Sequence, residues 1–178
     1  VAEWGGVDLV LMCHADYQPT RAWELQQDAA QRLLAINLGS IYSGLAVVLP
    51  QLLAQQSGGV GLISSVAGYF GMPNALTYAP MKAALINLAE NLYLDLAPRG
   101  LAVYLICPGF VQTRLTQQNR FAMPALQTPE QAAQAIITGI GKGRFEIHFP
   151  KRFSLLLKLL RLLPFAWRSS LLRKAIQT

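Results

Sequence analysis

Four short apolar runs separated by helical stretches set the tightest limit on what this chain of 178 residues can fold into. The runs Val7–Met12, Val60–Ser64, Ala102–Cys107 and Phe145–Phe149 lack the clean alternation of a half-exposed strand. Strands buried on both faces read this way, and they belong to parallel sheets covered by helices. Helical stretches lie at about Thr20–Gln55, Ala75–Ala97 and Pro129–Ile140. The first is expected to break or kink near Asn37, because a mid-helix asparagine is a poor helix former. Strand alternating with helix predicts a doubly wound parallel sheet in three layers, α/β/α. At this length, with 53% hydrophobic and 13% charged residues, the chain makes one domain with a real core.

The head of the second helical stretch carries the chemistry, in Tyr78-Ala79-Pro80-Met81-Lys82. A phenol and an ammonium at i and i+4 project from one helix face, and a nearby positive charge favours phenolate. Lys82 is expected to draw the Tyr78 pKa below the ordinary phenol value of about 10, towards acid/base chemistry near neutral pH. Taken alone, the spacing also describes a solvated helix face. Pro80 fits if the helix begins just before it, where first-turn N–H groups have no helical partner. Thirteen residues before Tyr78, Ser65 follows a buried strand in Gly61-Leu62-Ile63-Ser64-Ser65-Val66-Ala67-Gly68, which opens into a loop of small residues. Asn37 lies a further 28 residues back, in Ile36-Asn37-Leu38-Gly39. After the third strand the chain turns through Pro108-Gly109-Phe110-Val111-Gln112-Thr113.

In the order and spacing of these four features the chain resembles the short-chain dehydrogenase/reductase family, over about residues 5 to 148. The resemblance implies a Rossmann-like fold and an oxidoreductase that interconverts an alcohol and a carbonyl, with NAD or NADP carrying the hydride. It makes Tyr78 the general acid/base and has Ser65 hydrogen-bond the same substrate oxygen. Lys82 would lower the Tyr78 pKa and bind the nicotinamide ribose, and Asn37 would bind a water linking Lys82 to solvent. Pro108, Gly109, Val111 and Thr113 would hold the nicotinamide ring and its carboxamide. Plainer roles stand beside these. Ser64 is the rival loop hydroxyl, although spacing favours Ser65; Asn37 could end a helix, and Thr113 could cap the next one. The resemblance also implies that the first two helices pair across a two-fold axis, giving a homodimer or homotetramer.

Two departures from the family stand out. A complete member opens with a strand and a glycine-rich turn that seats the pyrophosphate at a helix N-terminus; here Gly5-Gly6 precedes a strand instead. The chain is therefore expected to be the carboxyl-terminal two-thirds of a longer protein, truncated at its N-terminus. Val7–Met12 would then be a bare hydrophobic edge, and the chain alone would not turn over substrate. The second departure is Met12-Cys13-His14-Ala15-Asp16, where the family usually has Asn-Asn-Ala-Gly. His14 is expected to be structural or solvent-facing. His148 has no cysteine or acidic partners at ligand spacing, so no metal is expected. If the family's strand order holds, Val60–Ser64 separates Cys13 from Cys107 by nearly 10 Å, and a disulfide needs Cα atoms within about 7 Å. Two free thiols are expected, which suits the reducing cytoplasm.

Charge divides the chain. Residues 1–141 carry 6 basic and 8 acidic side chains, a net of −2, whereas residues 142–178 carry 9 and 1, a net of +8. We accordingly read residues 1–150 as a partial catalytic domain and 151–178 as a basic amphipathic tail. From Phe153 to Leu163 the tail has helical period, with Ser154, Lys158 and Arg161 on one narrow stripe and leucines nearly all round the rest. Pro164 breaks it, and Phe165, Trp167, Arg168, Arg173 and Lys174 follow. The run is too short to span a bilayer, which takes about 20 residues. Three roles fit: peripheral contact of residues 153–174 with the anionic inner face of a membrane, a lid over the substrate cleft, or an oligomer contact. Basic groups interleaved with leucine do not suit nucleic acid. The leading expectation is an NAD(P)-dependent oxidoreductase acting on a small-molecule alcohol or carbonyl, with the tail hinting at a lipophilic substrate; the alternative is a non-catalytic fragment or module acting through membrane or protein binding.

Overall fold

The computed structural model describes residues 5–119 and 121–177, with side chains to Arg173; residues 1–4, Arg120, Thr178 and the Lys174 side chain lie outside the described residues. The elements in order are β1 (Leu9–Met12), α1 (Gln27–Leu34), a π-helical turn (Ala35–Gly39), α2 (Ser40–Gln55), β2 (Gly59–Ile63), α3 (Tyr78–Leu96), β3 (Ala102–Pro108), α4 (Pro129–Gly141), β4 (Glu146–Phe149), α5 (Lys151–Leu162) and α6 (Phe165–Gln177). The strands pair in parallel in the order β1-β2-β3-β4. Leu9 lies opposite Gly59, Gly59 opposite Ala102, and Leu105 opposite Glu146.

Successive strand residues face opposite ways, and both faces are buried. Val60, Leu62, Val103, Leu105 and Cys107 join Ile41, Leu45 and Leu52 of α2, Leu85, Ala89 and Leu92 of α3, and Leu157 of α5 in the larger core. Ile106, Ile147 and Phe149 face the other way, against Ala132 and the partly buried Ala135, Ile136 and Ile140 of α4. The expected three-layer α/β/α sheet is therefore present. Segment Gln27–Gln55 is long and apolar enough to cross a membrane by length and composition, but Leu33, Ile41, Leu45 and Leu52 are buried in the fold.

Element ends differ from the sequence reading for identifiable reasons. Val7 is held outside β1 because Gln55 takes its backbone: Oε1 accepts from Val7 N at 3.0 Å and Nε2 donates to Val7 O at 2.8 Å. The helix expected from Thr20 begins at Gln27. Thr20 instead forms an isolated parallel bridge with Ala75, donating to Asn74 O at 3.1 Å and accepting from Leu76 N at 3.3 Å. The α3 helix starts at Tyr78, two residues before Pro80, so the proline falls in the first turn as required. Thr128 and Gln131 form a capping box that opens α4. The β1 strand lies at one edge of the described sheet, with Leu11 exposed there.

Candidate active site

Three segments meet at the carboxyl ends of β2 and β3. The loop after β2 is fixed to the head of α3 by Ser64, whose Oγ donates to Lys82 O at 2.7 Å. Gly68 makes the approach possible, since a Cβ there would lie 2.7 Å from the Lys82 carbonyl carbon. This contact brings Ser65 beside Tyr78. Ser65 Oγ accepts from Ala67 N at 3.1 Å and donates to Pro108 O at 3.4 Å, tying the loop to the end of β3. Ser64 is thus the structural hydroxyl of the pair, while Ser65 and Tyr78 both line a cavity of about 130 Å³.

Gly109, Phe110, Tyr17 and Phe153 share that cavity. The Tyr17 ring stands edge-on to Tyr78, with centroids 5.0 Å apart. A larger open groove of about 880 Å³, lined by Pro19, Arg21, Trp23 and Gln117, adjoins it through the shared residues Asn119 and Phe121.

Electrostatics correct one expectation. Tyr78 is pushed up to about 12, first by burial and further by Tyr17, against an opposing hydrogen-bonding effect of Ser65. Lys82 does not pull the phenol down. Its Nζ donates to Ile63 O at 2.8 Å and sits 5.5 Å from the Tyr78 ring centroid. With only 1% of its surface exposed, burial draws Lys82 itself down to about 8, partly opposed by Cys107. Desolvation is the largest cause of both shifts. At neutral pH the phenol keeps its proton and the ammonium keeps its charge.

Asn37 sits at the centre of the π-helical turn, buried, and the turn packs against α3. Its Nδ2 donates to Leu33 O at 3.0 Å, the carbonyl that a regular helix would give to the Asn37 backbone N–H. The same nitrogen donates to Asp16 O at 2.8 Å, and Oδ1 accepts from Asp16 N at 3.1 Å. The kink read from the sequence is therefore a widened turn whose asparagine clamps the segment after β1. His14, exposed, is hydrogen-bonded with Ser40 Oγ at 2.5 Å on the turn's other side.

The turn after β3 runs past Gly109, where a Cβ would lie 3.1 Å from Pro150 Cδ and 3.2 Å from Phe153 Cδ1. Val111 pairs with Gln127 as an isolated bridge. Thr113, exposed, accepts from Thr116 N at 3.1 Å through its carbonyl and opens a short 3₁₀ turn. Among the described residues no three His, Cys, Asp or Glu side chains converge on a metal-sized site. Cys13 is exposed and Cys107 buried, both as free thiols, with β2 between their strands.

Sequence reasoning missed Tyr17, Phe110 and Phe153 as cleft walls. Phe110 follows directly on Pro108-Gly109, so its place was implicit in that turn. Tyr17 and Phe153 come from distant segments and carry no local signal. For a dinucleotide, the residues present suit the nicotinamide end. Lys82 supplies a buried cation, Tyr78 a phenol facing the cavity, and Gly109 a turn without a side chain beside it.

A doubly wound sheet with a half-buried tyrosine and a buried lysine at the carboxyl ends of its strands belongs to the class of α/β proteins that bind ligands at that end. A short chain dehydrogenase family model matches residues 1–123, and the chain belongs to that family. It is 32% identical over 163 residues to an uncharacterized oxidoreductase of Myxococcus xanthus, covering 92% of this chain and 64% of that protein. It is 25% identical to the 3-oxoacyl-[acyl-carrier-protein] reductase of Thermotoga maritima, covering 82% and 55%. A short-chain dehydrogenase from Sphingobium yanoikuyae, solved in complex with NADPH, superposes with a TM-score of 0.75 at 20% identity, covering 96% and 63%. The chain thus spans between about half and two-thirds of the length of these proteins.

Proposed function

We propose that this chain forms the catalytic part of an NAD(P)-dependent oxidoreductase that reduces a carbonyl to an alcohol and runs the reverse reaction at higher pH. The observation that carries this reading is the half-buried Tyr78 facing a small cavity beside Ser65, with its pKa held up by desolvation. Family membership and the NADPH complex of the Sphingobium protein support the cofactor. A bound nicotinamide would supply hydride. Lys82 and Tyr78 would hold its ribose, and Pro108, Gly109, Val111 and Thr113 its ring and carboxamide.

Ser65 donates a hydrogen bond to the substrate carbonyl oxygen and orients it towards Tyr78. Tyr78 gives that oxygen its proton as negative charge develops there. The Lys82 ammonium stabilises the phenolate left behind, and Asn37 holds the water through which the site regains a proton. The apolar walls Phe110, Phe121 and Phe153 suit a lipophilic substrate. The reductase of Thermotoga maritima, which by its name acts on 3-oxoacyl groups, supports a ketone within that class. A homodimer or homotetramer follows from the same reading, because Tyr42 and Val47 of α2 and Tyr93 and Leu94 of α3 offer an exposed apolar face to a second copy. The exposed thiol of Cys13 suits a cytoplasmic setting.

Oxidation of NADPH and NADH by a protein that carries this chain together with a complete cofactor site, followed by absorbance with a panel of aliphatic and aromatic ketones, tests the reading. Tyr78→Phe is expected to cut turnover by about 10²–10⁴-fold while leaving nucleotide binding by fluorescence largely intact. Equal turnover by the variant would remove Tyr78 from the chemistry.

A further inference from the structure

Helix α5 is amphipathic in the opposite sense to a helix that packs on a protein by its apolar stripe. Two members of its polar stripe, Ser154 and Lys158, face inward, while Arg161 is exposed. Ser154, with 0% exposure, is hydrogen-bonded with His148 Nδ1 of β4 at 2.7 Å. Lys158 donates to Glu146 Oε2, and Tyr69 Oη donates to the other oxygen of that carboxylate at 2.8 Å. Leu157 alone among the α5 leucines is buried. Leu155, Leu156, Leu159 and Leu162 point away from the domain, the last 79% exposed.

The next helix repeats the arrangement. Arg168 pins α6 to the body, its guanidinium 5.2 Å from the Phe70 ring centroid and its Nη1 donating to Arg161 O at 3.1 Å. Phe165 and Trp167 stay 75% and 67% exposed, and Leu171 is exposed beside them. Single exposed leucines are ordinary on any protein surface. Seven large apolar side chains on two successive helices, with Ser154 and Lys158 turned inward, mark an interaction surface.

Charge identifies the partner. Lys142, Arg144, Lys151, Arg152, Arg161 and Arg173 are all exposed around these helices. Burial, with Arg144 and Lys158 adding to it, holds the Lys151 ammonium below its ordinary value, so several cations share one field. The net +8 of residues 142–178 against −2 for the remainder gives the surface a strong and local sign. We propose that the outward face of α5 and α6 docks the protein on an anionic lipid bilayer, with the leucines and Trp167 in the headgroup–acyl boundary and the surrounding Lys and Arg side chains against lipid phosphates. Phe153 of the same α5 lines the cleft beside Tyr78, so docking brings the catalytic cavity up to the membrane.

The test is co-sedimentation of this protein with vesicles of phosphatidylcholine, alone or mixed with phosphatidylserine. Binding is expected to be at least roughly tenfold tighter to the mixed vesicles and to weaken with salt. Leu159→Gln with Leu162→Gln is expected to lose at least about tenfold of that binding with an unchanged urea midpoint, since both positions are exposed. Lys151→Gln with Arg152→Gln should remove most of the preference for phosphatidylserine. Trp167 emission should shift to the blue on vesicles, and the shift should vanish in Trp167→Phe. Absence of binding to the mixed vesicles, or binding that the leucine variant leaves unchanged, would overturn the proposal. So would a concentration-dependent dimer in light scattering that the leucine variant abolishes, because a second copy would then own the face. None of these readouts involves hydride transfer, so the docking surface and the dehydrogenase reading can fail separately.

Discussion

Replacing Lys82 by methionine should change how stability depends on pH, and the size of the change follows from burial. The ammonium titrates near 10.5 in water and at about 8 in the fold, chiefly because burial penalises the charged form. Between those values the unfolded chain binds a proton that the folded chain does not, so wild-type stability rises with pH across that window. From pH 8 to 10 this one group adds roughly 2 kcal/mol to stability. Methionine cannot titrate, so the stability advantage of Lys82→Met should shrink by that amount over the same range. At pH 7 the variant escapes a penalty of roughly 3 kcal/mol. It leaves the Ile63 carbonyl without its donor, at a cost of about 1–3 kcal/mol. The variant should therefore match or exceed the wild type at neutral pH. Tyr78 shifts the opposite way, and its contribution is lost as pH rises from about 10 towards 12. It is common to both proteins and largely cancels in the difference. Urea midpoints of both proteins, read by circular dichroism at intervals from pH 7 to 10, decide the matter. Parallel curves would mean that Lys82 is not held below its ordinary value, and the account of the buried pair would fall with it.

Two further outcomes follow from the same packing. A disulfide reagent such as dithiobis(nitrobenzoate) should titrate Cys13 alone in the native protein and both thiols in denaturant, because Cys107 is buried and its thiol is pushed up to about 12, first by burial. Asn37→Ala should lower stability by about 1–3 kcal/mol and speed amide exchange at Asp16, since it removes the bonds to Leu33 and to the Asp16 backbone; unchanged exchange would show that the clamp does not hold that segment.

The sheet was legible because strands buried on both faces leave continuous apolar runs, and the helices between them fix a parallel order. Its boundaries were less so. Val7 leaves β1 for a side chain 48 residues away, and Thr20 leaves its helix for a bridge to Ala75. Neither partner is visible in a local window. Tyr78, Lys82 and Ser65 could be read from spacing because each sits in a short segment of definite type. The direction of the Tyr78 shift could not, since it depends on how completely three segments enclose the phenol. The tail shows the same limit: period gave the stripe of Ser154, Lys158 and Arg161, but only the strand residues His148 and Glu146 decide which way it turns.

The widened turn at Ala35–Gly39 also acts as a counter. Leu33 and Ile41 are both fully buried, yet eight residues along a regular α-helix would set them about 80° apart. The turn absorbs that mismatch, so the helix before it and the helix after it share one inner face. A single deletion within it would leave a regular helix with Leu33 and Ile41 about 20° apart, still on one face, but without the widened turn that seats Asn37. The segment keeps its buried asparagine by being a residue too long for a regular helix, and its length is thereby fixed to the residue.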